Sequence, residues 1–295
     1  MPLRGVIPPL ITPFRADGTV DLAAFEANLE SLGSSGLAGF LVLGSNGEAA
    51  GLEHEEKLEL IATARRLAPG RFLLVGTGTE STRGTVALTR KAADLGADAV
   101  LVLTPHFYRG RMTPEVLRRH FEAVAEASPI PVYLYSVPAC TGLTWPPGLA
   151  SALAGHPRVA GMKESSGDIG LLGRIIATVP ASFEVLCGSA PVFYPALCVG
   201  AQGGILAVAN CVPRVVLGLY EAFVAGDHVR ARRLQEVLTP LAAVVTSTWG
   251  VAGLKAAMDL AGLRGGDVRG PLLPAPEAAR EEIRPLLDAA RDAIG

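Results

Sequence analysis

Short apolar runs alternate with longer amphipathic stretches from residue 6 to beyond residue 200 of this 295-residue chain, and that alternation limits its fold more than any other feature. Parallel strands joined by crossover helices produce such a pattern. The apolar runs predict strands over 6–12, 39–43, 72–76, 99–103, 132–135, 159–163, 183–187 and 204–208. Between them, apolar residues at helical spacing followed by turn residues predict helices over 21–32, 54–67, 82–95 and 114–127. About eight such units close an α/β barrel of the (β/α)8 TIM type, for which a chain of roughly 250 residues is typical. An open doubly wound sheet usually carries a G-x-G-x-x-G turn after its first strand, and there is none here. Past residue 212 the pattern is helical, over 215–223, 229–245, 251–260 and 277–293. The expected organisation is therefore a barrel over 1–212 and a helical C-terminal extension over 213–295 packed on it.

Composition narrows the function classes. A hydrophobic content of 49% is enough to fill a large core, and 18% charged residues is low for a globular chain. A net charge of −2 leaves no basic footprint, so neither nucleic acid nor an anionic membrane is an expected partner. No apolar run reaches the roughly 20 residues of a membrane helix, and the proline-interrupted N-terminus lacks a signal-peptide core. Cys140, Cys187, Cys198 and Cys211 form no C-x-x-C pair, which suits free thiols in a reducing cytoplasm. His54, His106, His120, His156 and His228 show no metal-binding spacing, and no G-x-S-x-G elbow is present, so neither a metal site nor a serine triad is expected.

In such a barrel the active site gathers at the C-terminal strand ends. The sixth predicted strand ends in Lys163 and runs into Glu164-Ser165-Ser166-Gly167-Asp168. By alternation, Val159, Gly161 and Lys163 share one face and Ala160 and Met162 the other. Only Lys57, Lys91, Lys163 and Lys255 are lysines among 26 basic residues, so a lysine on an apolar strand needs an explanation. Lysine, unlike arginine, can lose its proton and attack a carbonyl to form an imine; it can equally snorkel to solvent or pair with a carboxylate. Tyr135 shares a strand face with Tyr133 and is either a proton carrier beside that lysine or a core residue with a satisfied hydroxyl. Gly44-Ser45-Asn46-Gly47-Glu48 is either a carboxylate-binding turn or a plain helix-capping turn, with Glu48 expected to hydrogen-bond the turn itself. Gly203-Gly204 at the eighth strand leaves room for a ligand against the backbone.

Three separated segments also carry a resemblance. Gly44 to Glu48, Tyr135-Ser136-Val137-Pro138-Ala139 with Thr141-Gly142, and Gly161-Met162-Lys163 followed by Ser165 and Asp168 resemble the signature segments of the dihydrodipicolinate synthase and N-acetylneuraminate lyase superfamily. Within it, Thr104-Pro105 with Tyr108 to Met112, and Ser128 to Val132, are most similar to 4-hydroxy-2-oxoglutarate aldolase. The resemblance implies a class I pyruvate aldolase that needs neither metal nor cofactor and assembles as a homotetramer. It makes Lys163 the imine-forming lysine, Tyr135 the proton shuttle, and Ser45 and Asn46 the carboxylate-binding pair; Ser165, in the third segment, and Gly204, by its place at the eighth strand, are further substrate-binding candidates. The main expectation is cleavage of 4-hydroxy-2-oxoglutarate to pyruvate and glyoxylate. The alternatives are 4-hydroxy-tetrahydrodipicolinate synthase, an aldolase or dehydratase of another 2-keto-3-deoxy acid, and a non-catalytic keto-acid-binding barrel. The chain departs from the family pattern at two places. Cys140 stands where dihydrodipicolinate synthases carry an arginine for the aldehyde substrate's carboxylate, and Phe107, with Tyr108 next to it, stands where a partner subunit's relay tyrosine is expected.

Overall fold

In the computed structural model, which describes residues 3–294, eight parallel strands form one sheet in the order β1-β8-β7-β6-β5-β4-β3-β2. They are β1 (Gly5–Ile7), β2 (Gly39–Val42), β3 (Phe72–Gly76), β4 (Ala99–Leu103), β5 (Val132–Ser136), β6 (Val159–Glu164), β7 (Glu184–Cys187) and β8 (Gly203–Ile205). The expected (β/α)8 barrel is therefore present, and its seam lies between β1 and β2. β1 is shorter than the expected 6–12 because Pro8 and Pro9 have no N–H to give a ladder. The seam is closed by single bonds instead: Ala38 N to Val6 O (3.0 Å), Leu41 N to Pro8 O (3.1 Å) and Leu10 N to Leu41 O (2.8 Å). β8 is also shorter than expected, giving way to a 3-10 turn over Ala207–Asn210. The buried Asn210 amide donates from that turn to Pro9 O and Ala207 O, each at 2.9 Å, and ties the last strand's end to the first's.

The barrel crossovers contain α1 (Leu22–Gly33), α2 (His54–Leu67), α3 (Thr82–Asp94), α4 (Pro114–Ala127), α5 (Pro138–Thr141), α6 (Leu149–Leu153), α7 (Ile169–Thr178) and α8 (Phe193–Cys198). Polar residues in the strand–helix loops start several of them: Asp21, Ser81, Thr113 and Asp168 accept first-turn N–H groups at 2.9–3.3 Å. Asp168 is thereby engaged as a helix cap. After β8 come α9 (Pro213–Val224), which packs on β1, then α10 (His228–Ala242), α11 (Gly250–Leu260) and α12 (Glu277–Asp292), which pack on one another. The helix expected over 229–245 ends three residues early and continues as a π-helical turn over Ala243–Thr248. Among the described residues no helix is long and apolar enough to cross a membrane.

Alternation along the strands sorts the core into two layers. Ile7, Leu41, Leu74, Leu101, Leu186 and Ile205 fill the lumen with Tyr133 and Tyr135, while a larger cluster lies between sheet and helices. β6 departs from strict alternation. Its register against β5 jumps from Val132↔Val159 to Tyr133↔Gly161, a bulge at Ala160. Val159 consequently joins the outer layer and Ala160 packs on the lumen, the reverse of the expected faces, whereas Gly161 and Lys163 keep their place on the lumen side. At the lower end of the lumen the buried Glu184 carboxylate accepts from Tyr133 Oη (2.6 Å) and Leu3 N (2.9 Å), capping the barrel from below.

His120 of α4 is buried against α3, with Nδ1 2.9 Å from Thr82 Oγ1, and burial lowers its pKa from 6.5 to about 4 despite Glu80 nearby. The unfolded chain therefore binds a proton that the folded protein refuses between those values. The stability from neutral His120 is fully present above pH 6.5 and is lost as pH falls toward 4, by about 3 kcal/mol at most. Unfolding free energies measured at pH 7 and pH 4 should show a smaller acid-induced loss in His120→Gln than in the wild type. Equal losses would mean that His120 takes up its proton without cost.

Candidate active site

Strand register builds the site. Tyr135 pairs with Lys163 across β5 and β6, both at the C-terminal strand ends and both on the lumen side. Lys163 is 3% exposed, yet among the described residues it has no carboxylate in ion-pair range. Its Nζ donates to Tyr135 Oη at 3.3 Å and lies 4.4 Å from the centre of the Tyr135 ring. Ser45 Oγ is 3.4 Å from the same hydroxyl. Amine, phenol and alcohol thus form one chain of hydrogen-bonding groups supplied by β6, β5 and the turn after β2, and it is suited to passing a proton to or from an atom bound at the amine.

The turn after β2 is a 3-10 turn over Ser45–Gly47, closed by Gly47 N to Gly44 O (3.0 Å) and Glu48 N to Ser45 O (3.1 Å). Asn46 is half-buried beside Ser45. Glu48 does not bond the turn with its side chain as expected; its carboxylate points away, to Lys255 Nζ at 2.6 Å and to Arg269 N at 2.9 Å. Ser165, two residues past Lys163, has a buried hydroxyl with no partner among the described residues. Glu164 points to the opposite side of β6, where Ser166 N (2.9 Å) and Ser136 Oγ (3.4 Å) donate to it and burial raises its pKa. Beside it, burial pushes the Cys187 thiol up to about 12, so this cysteine stays protonated and donates to Ser189 O.

A cleft of about 740 Å³ opens over this end of the barrel. Ser45, Tyr135, Thr104, Phe107 and Cys140 line it, together with Glu48 and Arg269. Cys140 is exposed there. Phe107 and Tyr108 are 75% and 69% exposed and stack edge to face, and only Phe107 reaches the cleft wall. Gly204 is placed differently from the expectation. A Cβ on it would meet Phe193 and Leu206 of the outer layer, so its missing side chain makes room for helix packing and not for a ligand in the lumen. Among the described residues no cluster of three His, Cys, Asp or Glu is placed to hold a metal ion.

Gly188, which the strand-end rule already selects after β7, allows Lys163 and Ser165 their positions, since a Cβ there would overlap Ser165 Oγ and lie 2.9 Å from Lys163 Cε. One contributor escapes the sequence reading as a site residue. Lys255 is as buried as Lys163, and the scarcity of lysines that singled out Lys163 applies to it equally.

Comparison with known proteins shows what the chain is similar to. Residues 2–290 match the model of the dihydrodipicolinate synthetase family. The 4-hydroxy-tetrahydrodipicolinate synthase of Methanoculleus marisnigri is 39% identical over 288 residues, covering 96% of this chain and 98% of that protein. That of Exiguobacterium sibiricum is 35% identical, covering 99% of each. Among solved structures, the dihydrodipicolinate synthase of Thermotoga maritima superimposes with a TM-score of 0.94 at 29% identity, covering 99% of both chains. A prophage protein of the dihydrodipicolinic acid synthase family from E. coli K12, solved in complex with pyruvate, gives 0.92 at 30% identity, covering 98% of this chain and 99% of that one. Both of these sequence relatives carry the name of the synthase and not that of the 4-hydroxy-2-oxoglutarate aldolase that the segments at 104–112 and 128–132 resemble.

Gly188→Ala should displace Ser165 Oγ and Lys163 together, at a cost of about 1–3 kcal/mol in stability for an overpacked site. The folded variant should lose at least 90% of any lysine-dependent activity. An unaltered rate would show that both side chains reposition freely.

Proposed function

Since this chain belongs to the dihydrodipicolinate synthetase family, whose members are class I aldolases of the carbon–carbon lyase type, we propose that it makes or breaks a carbon–carbon bond beside a pyruvate-derived imine on Lys163. The family works through a lysine Schiff base and needs no cofactor. The observation that carries the reading for this chain is the run Lys163 Nζ, Tyr135 Oη, Ser45 Oγ with separations of 3.3 and 3.4 Å. The free amine of Lys163 adds to the keto carbonyl, and loss of water leaves an imine. Tyr135 supplies and removes the protons of those steps. The protonated imine draws electrons from the adjacent carbon, which then parts from an aldehyde or, as the enamine, attacks one. Ser45 and Asn46 hold the keto acid's carboxylate at the turn, and Ser165 offers its unpartnered hydroxyl to the remainder of the substrate.

For the second substrate, the names of the full-length relatives support 4-hydroxy-tetrahydrodipicolinate synthase, in which pyruvate condenses with aspartate semialdehyde. One observation favours a second reading, cleavage of 4-hydroxy-2-oxoglutarate: Cys140 lines the cleft where synthases carry an arginine for the aldehyde's carboxylate. Purified protein assayed for both reactions decides between them by kcat/KM. Homotetrameric assembly, usual in the family, is part of the proposal, with the exposed Phe107–Tyr108 pair facing a partner subunit.

Borohydride reduction in the presence of pyruvate, followed by peptide mass mapping, should place the adduct on Lys163. An adduct elsewhere, or none, removes the imine assignment; an adduct with no turnover of any keto acid leaves a binding barrel. Cys140→Arg restores a charge-assisted hydrogen bond worth about 1.5–3 kcal/mol and should raise kcat/KM for aspartate semialdehyde by roughly one to two powers of ten. No change would mean that the aldehyde's carboxylate is held elsewhere in the cleft.

A further inference from the structure

We propose that the buried Glu48–Lys255 ion pair is a positioning device: it fixes the Ser45–Asn46 turn from the C-terminal extension and thereby sets the affinity for pyruvate. The inference rests on the reading of Ser45 and Asn46 as the carboxylate-binding pair. It adds to that reading two residues that touch no reacting atom, one of them outside the barrel strands and their loops.

Glu48 is tied to Ser45 through the backbone, its N–H donating to Ser45 O at 3.1 Å, so any movement of Glu48 moves the turn. It also sits in the left-handed region, with φ of 53°. A residue other than glycine holds that conformation only where its surroundings enforce it. What enforces it here is the carboxylate's grip, 2.6 Å to Lys255 Nζ and 2.9 Å to Arg269 N.

Lys255 is itself held rigidly. It lies on α11, is 2% exposed, donates to Asp267 O at 2.6 Å, and places its ammonium 4.6 Å from the centre of the Phe14 ring. The loop that follows is pressed onto it, since a Cβ on Gly265 would overlap the Lys255 carbonyl. Arg269 closes the arrangement from above the same Phe14 ring at 4.4 Å, with Glu56 accepting both of its terminal nitrogens at 2.6 Å and Gly18 and Gly51 accepting further bonds. Glu48 and Arg269 also line the cleft that Ser45 and Tyr135 line, so the tether and the candidate site share one wall.

An ion pair this deeply buried repays its desolvation poorly as a source of stability, but losing one partner strands a charge that seeks water. Without Lys255, the Glu48 carboxylate has the cleft beside it as its route to solvent. Following that route turns the Ser45–Gly47 segment out of register with Lys163. A pair that merely fastened the extension to the barrel would change stability and leave pyruvate binding untouched in the folded protein.

The test reads pyruvate binding without any second substrate. The yield of the borohydride-trapped adduct on Lys163 is measured against pyruvate concentration in wild type, Lys255→Met and the double variant Glu48→Gln/Lys255→Met, with thermal unfolding to establish that each is folded. The half-saturating pyruvate concentration should rise at least tenfold in Lys255→Met, with the plateau rate of trapping within about threefold of wild type. The double variant, which strands no charge, should regain stability and keep at least a fivefold rise, and it carries the test if the single variant does not fold. Wild-type half-saturation in either folded variant overturns the positioning role. Failure of the wild type to form an adduct on Lys163 would instead overturn the proposed function.

Discussion

Everything at the upper end of the barrel depends on a lysine side chain confined where, among the described residues, no carboxylate meets it. Water would stabilise the charge of Lys163, and a neighbouring acid would neutralise its reactivity; β6 denies it both, offering one phenol at 3.3 Å. That confinement follows from period-two geometry. The residue that turns inward at the last position of a lumen-facing series is held by the strands on either side, Tyr135 on β5 and Leu186 on β7. The acids nearby are kept on the other side of the sheet or at the other end of the lumen. Glu164 faces the helical layer, and Glu184 sits at the base of the barrel with Tyr133 and Leu3.

The buried charges that do pair, Glu48 after β2 and Lys255 on α11, meet each other and not the amine. Glu48 and Lys255 lie behind the segment carrying Ser45, and Arg269 with Glu56 lies beyond them. The upper end therefore has a polar chain of neutral hydroxyls around Lys163 and a separate charged scaffold outside it. The scaffold holds the turn that carries Ser45 without itself bonding Lys163, whose hydrogen-bond partner is the Tyr135 hydroxyl.

The fold was legible because parallel strands and crossover helices leave a strong alternation, and counting by two is enough to put Tyr133 on one face with Tyr135 and Gly161 on one face with Lys163. The misread positions are those where local rules yield to contacts distant in sequence. Val159 and Ala160 exchange sides because β6 carries a bulge that only pairing with β5 creates. Gly204 resembles ligand space in the sequence, but its open side is taken by Phe193 from the helical layer. Glu48 was assigned to its own turn because its true partner, Lys255, lies more than two hundred residues along the chain. The candidate site was legible for the opposite reason. Lys163 and Tyr135 belong to adjacent strands, and the turn with Ser45 is marked by its own glycines.

The seam between β1 and β2 bears on how the chain is made. β1 has its ladder partner only in β8, and Gly5 meets Gly203 across it. At ribosomal rates of about 5–20 residues per second, the first strand waits roughly 10–40 s for the last to emerge. During that wait it is an open edge, the kind of surface on which nascent chains join one another. Pro8 and Pro9, which shorten β1 and leave the seam to isolated hydrogen bonds, also remove one donor from each edge of the segment, Pro9 on the side of β8 and Pro8 on the side of β2, and make it a poorer template for a foreign strand. The looseness of the finished seam is thus the trace of a protection that matters only before the barrel is closed.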